Sequence, residues 1–506
     1  MASGFCIYRF RDRQGKGVKP EQLRLKIGND ETSGKLKFLG KGRSLVKGIR
    51  IGRYEISFDE SALAHFDMQN KLFLCYDGME ARIGYSVFDR DQGKSKTSSI
   101  IRCGEQVCYL KQSVYNGMYL TVREPQIYDE AAARRRVWLA WLAAKFWPKN
   151  NIIYLFEKEC AGYEESGSVL YEKLIDLGYD NAYFVVNEDN PAIADLDEKY
   201  KKNLIYKDSF KHLLYFFKSR VFIASETMAH AMQLRAADKR IVRKTESKRI
   251  SYVFLQHGVM YMVSLSADLR VSFRQKGLDL YRVVVSSQLE ADHFIDLAGF
   301  EPQELYNTGL AKFDRSVRYE DADRIVIMPT WRRWEANQAR EDITKTKYYQ
   351  MIERMVDAVP DPLKEKVIIL PHPLMRKAMS HGSNPLSRYL ATESHNDTLK
   401  QCDVLITDYS SIAYDAFYRG SNIIFCWEEK EECMANYGPE TTLMLTEELA
   451  FGDVCYKSEQ ITDSIQRLYG KSQPDAYQEH YSKIVEHHDN RNSDRIVELL
   501  KKDGVL

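Results

Sequence analysis

The chain has 506 residues, enough for about three domains at roughly 150 residues each. Hydrophobic residues make up 44% and aromatic residues 12%, which excludes a chain disordered throughout; 73 Lys and Arg against 72 Asp and Glu leave a net charge of +1, which excludes global attraction to nucleic acid or anionic lipid. Nine cysteines without a C-x-x-C pair indicate neither a disulfide framework nor a zinc ribbon, and no apolar run nears the roughly 20 residues that cross a bilayer, so the expectation is a cytoplasmic protein with at most a peripheral contact to the inner face of the membrane.

Residues 1–127 read as a small β-rich domain. Short alternating runs at 54–58, 72–76, 83–88, 107–111 and 118–122, punctuated by Gly, Asp and Ser, predict an antiparallel sandwich or barrel. Residues 15–50 carry ten Lys and Arg against three Asp and Glu, either a solvated face or a dock for a polyanion. Residues 128–150 form a linking helix: the Ala-rich segment 128–147 stops at Pro148, and Arg134, Arg135, Arg136 and Lys145 flank Trp138, Trp141 and Trp147. That composition fits an interdomain helix or one lying in a bilayer interface.

From residue 151 the pattern changes to strand, helix, strand. Apolar runs at 152–156, 182–186, 203–206, 221–224, 252–255 and 283–285 alternate with helices at 168–177, 209–218 and 290–298. A second series runs through 325–328, 367–370, 404–407 and 422–425. The fold class is therefore α/β, with two doubly wound, Rossmann-like domains, 151–318 and 319–506, facing a cleft. Ligands in such folds sit beyond the carboxyl ends of the strands, so functional residues should follow apolar runs directly.

They do. Gln256-His257-Gly258 follows the fifth run, and Pro329-Thr330-Trp331-Arg332-Arg333, Pro371-His372-Pro373 and Asp408-Tyr409-Ser410-Ser411 follow three runs of the second series. His257 titrates near neutral pH and can take a hydroxyl proton, while Gly258 lets the backbone approach a ligand. Ser410 and Ser411, where a strand turns into a helix, converge hydroxyls and free N–H groups on an anion; Asp408 beside them reads as the group that holds the turn. Arg332 offers a guanidinium to phosphate oxygens, and His372 between two prolines is rigidly presented. Lys312 and Asp314 lie where the chain passes between the halves. No D-x-D stands at a strand end and no His pair has helical spacing, so neither a metal nor a cofactor is expected.

Taken in order, QHG, TGLAKFDR, MPTWRR, LPHP and VLITDYSSIAYDAFYRGSNIIF resemble the catalytic region of the CDP-glycerol glycerophosphotransferase family, the teichoic acid polymerases and primases. The resemblance implies a GT-B-type fold and transfer of glycerol phosphate, or a related polyol phosphate, from a CDP-activated donor to the terminal hydroxyl of an anionic, lipid-linked or capsular polymer, with release of CMP. Mapped by motif, His257 resembles the family's catalytic base. His372, Thr330, Arg332, Ser410 and Ser411 match positions expected to hold the diphosphate, with Gly258 and Asp408 beside them. This chain has Gln256 where the family has Trp, lacks the T-P-L-K that follows, and has Lys312 in place of Arg, which leaves the polyol open. A GT-B glycosyltransferase using a nucleotide sugar, and a noncatalytic polymer-binding relative, stand as alternatives. Products separate the first two, because a CDP-polyol donor releases CMP and a UDP-sugar donor releases UDP.

Overall fold

The computed structural model describes residues 2–7, 19, 22–28, 34–42, 51–58, 69–82, 87–89, 93–95, 97, 100–112, 118–148, 151–265, 278–372, 375–376, 379–380, 384–438 and 440–506. Most of the basic segment 15–50 and part of the run at 83–88 lie outside them. The chain divides into two compact units: residues 1–148 with 208–218 and 232–247, and the remainder.

The first unit is built on antiparallel strands. Gln69–Tyr76 pairs with Arg24–Ile27 and with Met118–Arg123, which pairs in turn with Gln106–Gln112. A separate sheet holds Ala2–Ile7, Ile51–Phe58 and Gly34–Gly42. Alternation turns Leu25, Ile27, Leu72, Leu74, Leu110, Leu120 and Val122 into one apolar core. The helix Ala131–Phe146 buries Ala133, Val137, Ala140 and Ala144, a stripe of small side chains at helical spacing, and packs against the helices Phe210–Lys218 and Lys239–Thr245 of the same unit. Its other face leaves Trp138, Leu139, Phe146 and Trp147 exposed. Among the described residues no helix is long and apolar enough to cross a membrane.

The second unit carries two parallel sheets. In the first the order is Leu204–Tyr206, Ala182–Val186, Ile153–Phe156, Val221–Ala224, Ser251–Phe254, Leu280–Val285, Leu305–Asn307. The second runs Val367–Ile369, Arg324–Ile327, Cys402–Thr407, Asn422–Cys426, Asp453–Cys455. Strands such as Ile153–Phe156 and Cys402–Thr407 are buried along their whole length, because helices cover both faces. Each sheet therefore has one point where the strand order reverses: between Ile153–Phe156 and Val221–Ala224 in the first, and between Arg324–Ile327 and Cys402–Thr407 in the second. A crevice opens beyond the carboxyl ends of the strands at such a point.

The chain passes between the sheets twice. After the first crossing, at residues 308–323, the last helices return to the first sheet. Ser286 Oγ donates to the carbonyl of Ile484, at the end of the helix Asp475–Ile484, and Lys173 pairs with Asp494 of the helix Asn492–Lys502.

Candidate functional site

At the first reversal point the strand Ile153–Phe156 ends in Glu157, which is fully buried. Its carboxylate accepts the backbone N–H groups of Glu164 (2.5 Å), Glu165 (2.9 Å) and Ser168 (2.9 Å), and so ties down the loop and the start of the helix Ser166–Asp176. Burial and the neighbouring Glu165 charge push this carboxyl up to about 7. Gly167 is required here, since a Cβ would stand 2.9 Å from Glu157 Oε2. Within the loop, Lys158, Glu159 and Cys160 all take left-handed conformations, with φ of 45°, 55° and 65°. Each costs on the order of 1–2 kcal/mol. The turn frees the Glu159 N–H to donate to Glu226 Oε2 at 2.6 Å.

Glu165 and Glu226 hold His257 between them. The imidazole Nδ1 is 3.0 Å from Glu165 Oε2 and its Nε2 is 3.4 Å from Glu226 Oε1. Burial opposes protonation of this half-exposed ring, but hydrogen bonds and charge from both carboxylates win and raise it to about 9. Burial likewise opposes the charge on Glu165, yet His257, Lys158 and Lys312 pull it down to about 2. Before the ring, Gln256 is buried at φ 60° and its amide donates to the Val284 carbonyl. After it, the Met260 N–H donates to the buried Glu290, which also accepts the Ser286 N–H. The loop bearing His257 is thus pinned on both sides.

Across from it stand the residues that follow Cys402–Thr407. A Cβ at Gly258 would lie 3.2 Å from Ser411 Oγ and 3.6 Å from Lys312 Nζ, so the glycine sits in close contact with the opposite side. Lys312 bridges the two sides, with Nζ 2.5 Å from the His257 carbonyl and 2.5 Å from Asp415 Oδ1. A cavity of about 370 Å³ is bounded here by Glu165, His257 and Lys312 from one side and Met328, Ser410 and Ser411 from the other.

The remaining residues singled out in the sequence sit elsewhere. Asp408 is fully buried and accepts the Thr330 N–H (2.8 Å) and hydroxyl (2.7 Å), the Tyr409 N–H (2.5 Å) and Arg332 Nη1 (2.7 Å). Arg332 was expected to face phosphate. Its guanidinium is instead 1% exposed, turned inward and held by Asp408 and Glu429, behind the loop that presents the serines. His372 stacks on Trp331, with centroids 5.1 Å apart and planes inclined by 17°, and does not border the cavity. Asp314 accepts the backbone N–H groups of Asn492 and Ser493, both at 2.8 Å, and so caps the last helix. Sequence reading passed over Glu165, Glu226 and Asp415. Of these Glu226 carries a local signal, since it follows the apolar run at 221–224 as the chosen clusters follow theirs.

Known proteins share this fold. The wall teichoic acid polymerase TagF has the same fold: its structure matches with a TM-score of 0.51 at 14% identity, over 74% of this chain and 94% of that one. A TagF variant soaked with CDPG matches with a TM-score of 0.52 at 13% identity, over 73% and 93%. The minor teichoic acid biosynthesis protein GgaB of Bacillus subtilis (strain 168) is 21% identical over an alignment 337 positions long that covers 62% of this chain and 35% of GgaB, so the chain spans about a third of that relative. A family model described as CDP-glycerol:poly(glycerophosphate) glycerophosphotransferase matches residues 140–502, both parallel sheets included, and the chain belongs to that family.

Proposed function

We propose that this chain transfers glycerol phosphate, or a related polyol phosphate, from a CDP-activated donor to the terminal hydroxyl of a teichoic-acid-like or capsular polymer, releasing CMP from a GT-B-type cleft. The observation that carries this reading is the closeness of two segments far apart in sequence, His257-Gly258 after one strand and Ser410-Ser411 after another, which border one cavity large enough for a phosphate linkage. In this reading residues 151–318 receive the acceptor and residues 319–506 hold the donor.

The acceptor hydroxyl loses its proton to a ring nitrogen of His257 as its oxygen attacks the donor's β-phosphorus. The bond between that phosphorus and the CMP oxygen breaks, and CMP departs with the electron pair. Phosphoryl transfer asks chiefly for positioning and for charge stabilisation around the nonbridging oxygens. Ser410 and Ser411 offer hydroxyls, and Lys312 a positive charge, at the cavity wall. Thr330, Arg332 and Asp408 act one layer back by fixing the loop that presents the serines, and Glu165 and Glu226 stabilise the imidazolium once it forms.

The exposed Trp138, Leu139 and Trp147, with Arg134 and Arg135 on the same helix, support a peripheral contact with an anionic membrane face, where a lipid-linked acceptor resides.

Incubation with CDP-glycerol, CDP-ribitol and a panel of UDP sugars, each with a polymer acceptor, tests the reading by the nucleotide liberated. CMP is expected; UDP, or no nucleotide at all, overturns it.

A further inference from the structure

Four Lys and Arg side chains border the cavity, and three of them are matched by carboxylates. Lys158 pairs with Glu164 at 2.6 Å, Lys312 with Asp415 at 2.5 Å, and Arg315 with Glu172 through two hydrogen bonds. The fourth is Arg419. Its Nη1 donates to the Val317 carbonyl at 2.8 Å and its Nη2 to Asn396 Oδ1 at 2.7 Å, both neutral acceptors, while Nε is buried with no partner. Among the described residues no carboxylate forms an ion pair with it. The nearby acids are engaged elsewhere, Glu164 and Asp415 as above and Asp397 by Lys400 at 2.8 Å. Burial accordingly holds this guanidinium below its ordinary value. A half-buried charge with no carboxylate paired to it is costly, and an anion entering the cavity reduces that cost.

Position tells which anion. Ser411, Asp415 and Arg419 follow one another at four-residue steps, hence along one face of the helix Ile412–Tyr418 and its ends. Eight residues at about 1.5 Å each separate the Ser411 and Arg419 backbones by about 12 Å. The Lys312–Asp415 pair stands between. The donor's charges are concentrated on two adjacent phosphates at the reacting linkage, near Ser410 and Ser411, whereas Arg419 enters the cavity from the far end of that helix, beside Asn396. A polymer of phosphodiesters carries further charges at regular intervals from its reacting end.

We infer that Arg419, with Asn396 orienting it, is a second anion subsite that binds an internal phosphodiester of the acceptor polymer, set back from the reaction centre. The inference rests on the reading given under Proposed function and adds the device by which a polymer is preferred to a single polyol.

Two acceptors test it: an oligomer of several glycerol phosphate units, and an alkyl glycerol with no phosphodiester. Removing a charged hydrogen-bond donor costs about 1.5–3 kcal/mol, so Arg419→Gln is expected to raise KM for the oligomer on the order of ten- to a hundredfold. KM for CDP-glycerol and the rate with the alkyl glycerol should stay as they are, and Arg419→Lys should recover most of the oligomer affinity. Asn396→Asp, which sets a carboxylate against the guanidinium, should reproduce the selective loss and serves as the second variant if Arg419→Gln fails to fold. A rise in KM for the donor instead assigns the guanidinium to CDP-glycerol and overturns the inference. So does an unchanged oligomer KM, which makes Arg419 a strut to Val317. Calorimetric binding of the oligomer without donor reads the subsite even if no CMP is released, which separates failure of this inference from failure of the proposed reaction.

Discussion

Glu165 and His257 lie 92 residues apart in the chain and 3.0 Å apart in space, and each moves the other's proton affinity in the direction that charges both. The imidazole is raised to about 9, so the ion pair stabilises the fold below the ordinary histidine value of 6.5 and is lost as pH rises through about 9. The carboxyl is lowered to about 2, so its contribution is present above its ordinary 4.5 and is lost as pH falls through about 2.

A base must be neutral to accept a proton, and kcat/KM reports the free enzyme. We expect kcat/KM for CMP release to climb through neutrality with a midpoint near 9. Removing one of the two carboxylates by Glu226→Gln should move that midpoint down by about one unit. A pH profile flat between 6 and 9 in both proteins contradicts His257 as the base.

His257→Ala should lower acceptor-dependent CMP release by about 10²- to 10⁴-fold. The variant also loses the ion pair with Glu165, but the ring is half exposed and solvent screens that pair, so the melting temperature at neutral pH should fall only slightly beside the loss of activity. Comparable loss in both measurements places the histidine in the structure rather than the reaction.

Asp408→Ala leaves the Arg332 guanidinium in the interior with only the more distant Glu429 carboxylate, at 3.5 Å, beside Thr330 groups that have lost their acceptor. Breaking a buried pair on one side costs about 3–5 kcal/mol, and denaturant unfolding should show that loss. A variant as stable as the unaltered chain shows that this cluster does not support the serine loop.

Flotation with anionic liposomes checks the exposed helix face. Arg134→Glu combined with Arg135→Glu should abolish flotation; Arg136 is left alone because it donates to the Asp208 carbonyl. Undiminished flotation removes this helix as the point of attachment.

The sheets were legible because both faces of their central strands are covered, which leaves uninterrupted apolar runs such as 404–407 and 182–186. Two of the four edge strands were read as well, at 203–206 and 367–370, but the other two were not. Leu305–Asn307 and Asp453–Cys455 are three residues long and mix polar with apolar side chains, so they carry neither an apolar run nor a clean alternation. In the site, His257, Ser410 and Ser411 were found by their position after such runs. Glu165 follows no run at all, and its relation to His257 exists only once the loop after Phe156 has folded back. Arg332 misled for a different reason: its neighbours along the chain do not disclose that Asp408, 76 residues on, draws it inward.

The return of the last helices has a mechanical consequence. Covalent chain joins the two sheet layers at 308–323 and again at 485–491, and Asp314 on the first connection grips Asn492 and Ser493 just beyond the second. A body tethered at two fixed points keeps one easy freedom, rotation about the line through them. Lys312, two residues before Asp314 in the chain, holds the His257 carbonyl on one jaw and Asp415 on the other, so opening the jaws should break one of those two grips.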